Sequence, residues 1–270
     1  MAKMRAAVML APREIEIQEA DVPVVDSDSV IIKVEGTGVC GSNLHWWRGA
    51  ERATGLWPFP IPGAGGHEYG GTVVEGGKDI RRIKVGDRVA VDQFHSTSCG
   101  QCVYCSSGAF NVCTGRGGFV TPGFVEYIKF PEKGLHVLPE SIQTHEAAII
   151  EPAATPISAL RRLGLRGGER VVVIGAGVVG LAAAGVAKAL GAGKVVVVAK
   201  YDAQEKFAYR FGADAVVRSG AADAVEQVLS QVAGGADIVV ETVGGMAPTM
   251  DMACAIVRPR GTVIPLGLWD

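Results

Sequence analysis

Two patterns of apolar and polar positions divide the chain. Through roughly the first 150 residues, apolar positions alternate with polar ones or form short runs. Gly, Pro and Asp punctuate them, which is the pattern of strands and turns. The strands predicted are Arg5–Leu10, Glu14–Gln18, Ser29–Glu35, Gly71–Glu75, Arg88–Val91 and Val125–Phe130, and no strong helical period appears before about Thr144. From about Thr155, apolar strands alternate with amphipathic or Ala-rich stretches. These read as strand Arg170–Ile174, helix Val178–Leu190, strand Lys194–Val198, helix Ala203–Phe211, strand Ala215–Val217, helix Ala221–Val232, strand Ile238–Glu241, helix Met246–Val257 and strand Gly261–Leu266. Strand–helix alternation predicts a parallel sheet with right-handed crossovers. The expectation is an α/β protein with a β-rich domain over residues 1–154 and a doubly wound domain over 155–270, the change falling near Glu151–Leu165.

Composition narrows the classes. The chain has 270 residues with 48% hydrophobic and 20% charged side chains, ordinary values for a globular protein. The net charge is −2, and no basic run marks a nucleic-acid or membrane surface. The longest uncharged apolar stretch, Val171–Ala187, contains Gly175, Gly177 and Gly180 and opens on β-branched residues, so it reads as a buried strand turning into a buried helix rather than a membrane span. The apolar part of the N-terminus is too short for a secretion signal, and the cytoplasm is the expected compartment.

Four of the six cysteines fall within one short segment. Cys99, Cys102, Cys105 and Cys113 have the spacing C-x2-C-x2-C-x7-C. Without a secretion signal, such clustering points to metal before disulfides. Four closely spaced thiolates can wrap a tetrahedral zinc and leave no open position, so this site reads as structural. A second set is Cys40 with the adjacent His67 and Glu68, all competent zinc ligands flanked by glycines. Three protein ligands leave a position for substrate.

The strand Arg170–Ile174 runs directly into Gly175-Ala176-Gly177-Val178-Val179-Gly180 and then a helix. In that context G-x-G-x-x-G is a dinucleotide turn: Gly175 for the tight turn, Gly177 for close approach of pyrophosphate, Gly180 for close helix packing, with the amides of Val178 and Val179 at the helix start. The next strand would ordinarily end near an acid that binds the ribose of NAD. Here Ala199 takes that place and Lys200 follows, which favours the 2′-phosphate of NADP. Asp202 reaching back to the ribose of NAD is the alternative.

Taken in order, these motifs resemble the medium-chain zinc-dependent alcohol dehydrogenase family. The segment Gly66–Ile80, GHEYGGTVVEGGKDI, is similar to the family's zinc signature, the four-cysteine loop to its structural-zinc lobe, and Cys40–His45 to its first ligand and proton-relay segment. The resemblance implies a GroES-like catalytic domain, a Rossmann domain, two zinc ions, and hydride transfer between an alcohol and NAD or NADP. It makes Cys40 and His67 catalytic-zinc ligands and Glu68 the adjacent carboxylate. Ser42 becomes the hydroxyl that passes the substrate's proton, His45 the outer end of that relay, and Thr155 a neighbour of the nicotinamide. Where alcohol dehydrogenases carry a further cysteine ligand, this sequence has Glu151 followed by Pro152, which makes Glu151 a further ligand of the catalytic zinc, directly or through water. In that it resembles sorbitol, butanediol and threonine dehydrogenases, and a secondary alcohol or polyol becomes the expected substrate. Trp46, Trp47 and Trp57 either wall the substrate pocket or pack the domain edge.

The resemblance also sets the rivals. One is a nucleotide-binding protein, or catalytically impaired fragment, on the same fold. Another is a zinc-independent quinone or enoyl reductase relative, which would lack the cysteine lobe. Members of the resembled family continue for several dozen residues beyond the equivalent of Gly261–Leu266. The sequence alone therefore carries the expectation of a partial Rossmann domain, poorly active by itself, and of a homo-oligomer when that further segment is present.

Overall fold

The computed structural model describes residues 2–49, 58–118 and 122–269, in two compact units, Met1–Glu151 and Pro152–Asp270. The first unit is built on two sheets. Strands β1 (Lys3–Ala11), β2 (Glu14–Asp21) and β4 (Ile61–Pro62) form one, in the order β2-β1-β4. Strands β3 (Ser29–Gly38), β5 (Glu68–Gly76), β6 (Arg88–Val91), β7 (Tyr127–Pro131) and β8 (Leu135–Val137) form the other, antiparallel in the order β7-β3-β5-β6-β8. Its core gathers Val30, Ile32, Tyr69, Val73, Val89, Ile128 and Phe130, inward positions of these strands.

Helix α1 (Gly41–Arg48) was not expected from the hydrophobic pattern. Its sequence, GSNLHWWR, has no wide apolar stripe, and only Asn43 and Trp46 are buried. A local exchange starts it: the Asn43 side chain accepts from the Cys40 amide at 2.9 Å, while the Asn43 amide donates to the Cys40 carbonyl at 3.0 Å. Two short helices, α2 (Gln93–Thr97) and α3 (Val103–Ser106), lead into and through the cysteine loop, and α4 spans Ile150–Leu163.

The second unit carries five parallel strands: β9 (Arg170–Ile174), β10 (Lys194–Ala199), β11 (Ala215–Arg218), β12 (Ala236–Glu241) and β13 (Val257–Pro265). Their order is β11-β10-β9-β12-β13, with connecting helices α5 (Val178–Ala189), α6 (Asp202–Arg210), α7 (Ala224–Gln231) and α8 (Thr249–Ile256). Val171 and Val173 pack with the Ala face of α5 in one core, and Val172 and Ile174 pack with α7 and α8 in another. Near-continuous apolar strands are what a sheet covered on both faces requires. The strand order reverses between β9 and β12, which makes the carboxyl ends of those two strands the switch point where doubly wound sheets take ligands. No helix among the described residues is long and apolar enough to cross a membrane; Val171–Ala187 divides between β9 and α5.

At the opposite end of this sheet, Asp237 ties three strands together. Its carboxylate accepts from the Arg170 amide at 2.8 Å, from Arg170 Nε at 2.9 Å and from Arg258 Nε at 2.5 Å. The Arg170 guanidinium above all, with that amide and Arg258, holds the Asp237 carboxyl well below the usual carboxylate range, against its partial burial. A folded-state pKa below the unfolded one contributes stability that is present above about pH 4, the unfolded value, and is lost as pH falls towards the folded one. Asp237→Asn is therefore expected to cost on the order of 1–3 kcal/mol at pH 7. The gap between parent and variant in urea unfolding should narrow below pH 4; a gap unchanged down to pH 3 would contradict the ion-pair account.

Candidate metal centres and dinucleotide turn

The first candidate metal centre is assembled by strand pairing. In the β3–β5 ladder Gly38 lies opposite Glu68. Cys40 follows the end of β3 and His67 precedes β5, so the register sets the two segments side by side. Ligand atoms of Cys40, His67 and Glu68 all lie within 4.8 Å of one another. Gly38 makes the approach possible: a Cβ there would stand 2.2 Å from Glu68 Oε2. The carboxylate of buried Glu68 occupies the space a side chain would have filled.

Asn43 joins the two ligand segments. It is buried, its Oδ1 holds the Cys40 amide, and its Nδ2 donates to the Ala64 carbonyl at 3.2 Å and the Gly65 carbonyl at 2.9 Å. The Gly65 carbonyl also accepts from His67 Nδ1 at 2.9 Å. A carbonyl can only accept, so Nδ1 carries the proton and Nε2 is left as the metal-facing nitrogen. Trp46 is buried with Met9, Ile61 and Ala64 and meets His67 edge-on, ring centres 6.4 Å apart, so it packs behind the ligand. Trp47 is half exposed with Arg13 over its ring, and Trp57 lies outside the described residues.

The group is predominantly acidic in character. Burial by itself would lower the His67 pKa; Cys40, the Gly65 carbonyl and Glu151 outweigh it and raise it to about 9. Burial raises Glu68, which Cys40 and His67 oppose. Glu151, in the first turn of α4, is raised by burial and by Glu68, with His67 opposing. A cluster that draws a proton onto a buried imidazole is one whose excess negative charge a metal ion would balance. Glu151 stands within electrostatic reach but outside the tight group of three. Ser42 Oγ is 3.5 Å from His67 Nε2, and His45 follows three residues later on the same side of α1.

The second centre is the cysteine loop. Sulfur separations are 3.5 Å for Cys102–Cys105, 3.8 Å for Cys102–Cys113 and 4.0 Å for Cys99–Cys105. Four sulfurs at tetrahedral corners, about 2.3 Å from zinc, stand about 3.8 Å apart. Backbone N–H groups lower the Cys99 and Cys102 thiols, while burial and its neighbours raise Cys105. Four donors with no fifth group in the set make a closed site.

In the second unit, Gly175 has φ +101°, and a Cβ on Gly180 would come 2.0 Å from the Gly175 carbonyl oxygen. Both positions therefore exclude a side chain. At Gly177 a Cβ would meet nothing within 4 Å, so this stretch of backbone faces open space. The first α5 amides, Val178, Val179 and Gly180, have no side-chain cap. An uncapped helix start behind an open glycine fits a dinucleotide pyrophosphate. Thr155 is exposed on α4.

The pattern of the alcohol dehydrogenase GroES-like domain matches residues 26–140, and that of the zinc-binding dehydrogenases matches residues 178–270. Sorbitol dehydrogenase of Bacillus subtilis (strain 168) is 36% identical over 270 residues, 98% of this chain and 75% of that protein. The chain belongs to the medium-chain zinc-dependent alcohol dehydrogenase family. Among solved structures, a zinc-binding dehydrogenase from Sinorhizobium meliloti 1021 bound to NADP superposes with a TM-score of 0.86 at 30% identity, covering 100% of this chain and 78% of that one. The 2R,3R-butanediol dehydrogenase of Bacillus subtilis superposes with a TM-score of 0.79 at 28% identity, covering 99% and 78%. As a member of this family, the dehydrogenase is a zinc-dependent oxidoreductase.

Sequence reasoning missed Gly38 and Asn43. Asn43 left one signal, a capping-type residue three places after Cys40; Gly38 left none, because only strand register gives it a neighbour. Replacing Asn43 by Ala removes the link between the ligand segments. The expected result is a loss of about 10–100-fold in zinc affinity at the Cys40–His67 centre, read by chelator competition, with the cysteine loop retaining its metal.

Proposed function

We propose that this dehydrogenase oxidises a secondary hydroxyl of a polyol or related alcohol, and reduces the matching ketone, with NADP as the preferred partner. The observation that carries the reading is the open three-ligand group of Cys40, His67 and Glu68 with Ser42 beside it. These residues would hold a zinc ion, which would supply a Lewis acid able to acidify a substrate hydroxyl. Ser42 takes up the substrate proton and passes it outward to His45. Glu68 and Glu151 balance charge at the centre, Glu151 from outside the tight group. Cys99, Cys102, Cys105 and Cys113 hold a structural zinc. Gly175, Gly177 and Gly180 with the amides of Val178 and Val179 would hold a dinucleotide, which would supply the hydride acceptor, and Thr155 would be a neighbour of its nicotinamide. Sorbitol and butanediol dehydrogenases among the similar proteins support the polyol class. The net charge of −2 and the absence of a basic run favour a small-molecule substrate over a nucleic-acid or membrane surface.

The cofactor preference rests on the end of β10. Ala199 is buried and offers no carboxylate, and Lys200 is exposed with its ammonium 5.6 Å from the Tyr201 ring centre. Asp202, the alternative ribose ligand, is ion-paired to Arg218, which also donates to the Lys200 carbonyl at 2.8 Å. The region presents cations where NAD enzymes present an acid.

The test is oxidation by zinc-loaded protein across sorbitol, xylitol, 2,3-butanediol and simple alcohols, with NAD and NADP separately, alongside Lys200→Ala. Polyols should exceed monohydric alcohols. Lys200→Ala should weaken NADP binding by on the order of 1–2 kcal/mol and leave NAD nearly unchanged. No turnover of any diol or polyol by zinc-loaded enzyme would refute the substrate class, and equal losses for both cofactors would refute the role of Lys200.

A further inference from the structure

The wall of the dinucleotide turn comes partly from a strand that no glycine motif includes. Thr242 directly follows β12. Its amide donates to the Ile174 carbonyl at 3.0 Å, and its hydroxyl donates to the same carbonyl at 2.9 Å, with the Gly175 carbonyl at 3.4 Å. A Cβ on Gly175 would meet Thr242 Oγ1 at 2.6 Å, and one on Gly180 would meet it at 2.9 Å. The threonine hydroxyl thus fills the space that both glycines leave empty. It also holds the carbonyl groups at which β9 turns towards α5.

Thr242 is itself fixed from beneath. Glu241, the last residue of β12, is fully buried. One carboxylate oxygen accepts from the Val243 amide at 2.8 Å, the Gly244 amide at 3.1 Å and the Thr249 hydroxyl at 2.8 Å. The Glu241 carbonyl accepts from the Leu266 amide at 2.7 Å and the Gly267 amide at 3.1 Å. Gly244 and Gly245 take left-handed φ of +62° and +65°, and the Gly245 amide donates to the Leu268 carbonyl at 2.7 Å. The segment after β12 is therefore bound on one side to the start of α8, on another to the segment after β13, and through Thr242 to the glycine turn. A segment tied on three sides keeps the Thr242 hydroxyl against the turn, and fixed backbone amides are what a pyrophosphate oxygen needs in order to be met at hydrogen-bond distance.

We propose that Thr242, seated by Glu241, is a positioning residue for dinucleotide binding: its hydroxyl sets the Gly175–Gly180 turn in the geometry that receives the pyrophosphate. The proposal rests on the dinucleotide reading of that turn. It makes the turn a three-part device, with a strand end, a helix start and a side chain contributed from the neighbouring strand across the switch point.

The experiment uses the zinc-loaded full chain and its Thr242→Val and Thr242→Ser variants. Binding of NADPH, ADP and adenosine is measured by nicotinamide fluorescence and by calorimetry, with melting temperature followed without nucleotide. Loss of one well-placed hydrogen bond corresponds to about a tenfold rise in Kd. Thr242→Val is expected to show that rise for NADPH and ADP but not for adenosine, which has no phosphate. Thr242→Ser, which keeps the hydroxyl, should bind within about threefold of the parent. The KM for cofactor should rise in the valine variant while kcat at saturating cofactor holds within about threefold, a split that general loosening of the sheet does not produce. If the valine variant does not fold, Thr242→Ala carries the same expectation without setting a methyl against the two carbonyls. Parental affinity for ADP in a variant lacking the hydroxyl, or an equal loss for adenosine, overturns the proposal. Failure of the parent itself to bind any nucleotide would overturn the cofactor reading beneath it.

Discussion

Replacing His67 by Ala is expected to remove one of two zinc ions per subunit and lower kcat/KM at least about a thousandfold, because Lewis-acid stabilisation of the reacting oxygen amounts to several kcal/mol. The reason lies in how few groups hold the open centre. Cys40, His67 and Glu68 are the three with ligand atoms inside 4.8 Å, and Glu151 is outside that group. Loss of His67 leaves two carboxylates and a thiolate without the neutral donor that Gly65 orients. Folding should change little, since the strands on both sides are joined through eight residue pairs of the β3–β5 ladder. Metal analysis of freshly purified protein and a melting curve separate the two effects. A variant that keeps two zinc ions, or turns over at the parental rate, would remove His67 from the site.

Replacing Cys102 by Ser should have the converse signature. The cysteine loop has no β-structure of its own; α3 is a single turn, and the segment from Cys99 to Cys113 is held by sulfur contacts, a few turn hydrogen bonds, the stacking of Phe110 on His95 and a hydrogen bond from Arg116 to the Asn111 carbonyl. A closed zinc site contributes folding free energy directly. The expected result is loss of the structural zinc, a drop in melting temperature on the order of 5–10 °C, and rapid proteolysis between Ser98 and Thr114, with the open centre still loaded at first. Chelator treatment of the parent should reproduce the cleavage pattern. Resistance of the variant to protease would mean that packing, and not metal, holds the loop.

The cysteine loop and the glycine turn were legible because their parts lie within fifteen residues or fewer, where chain connectivity alone keeps the groups together and spacing is a reliable guide to geometry. The parallel sheet was legible for a similar reason: β9, β10 and β12 are nearly continuous apolar runs, and only a sheet covered on both faces accommodates such runs. The helix Gly41–Arg48 was not legible, because its start depends on one exchange between Cys40 and Asn43 rather than on an apolar stripe.

What the chain determined by itself was therefore the kind of chemistry: thiolates at metal spacing, a GHE segment, a strand–glycine–helix turn, and an uncommon lysine after the second strand. What only the tertiary structure decided was which of these groups meet, and how closely. Cys40 and His67 are 27 residues apart and come together because the β3–β5 register sets Gly38 opposite Glu68. Asn43 binds both segments only once the turn at Gly63–Gly65 has brought its carbonyls within reach. Thr242 is 67 residues beyond Gly175, yet it fills the space beside that glycine, since a parallel sheet makes β9 and β12 neighbours across the switch point. The physical reason is common to all three. Side-chain identity fixes what a group can bind, but a binding site needs several groups within a few ångströms, and over long sequence separations only strand pairing and packing set such distances.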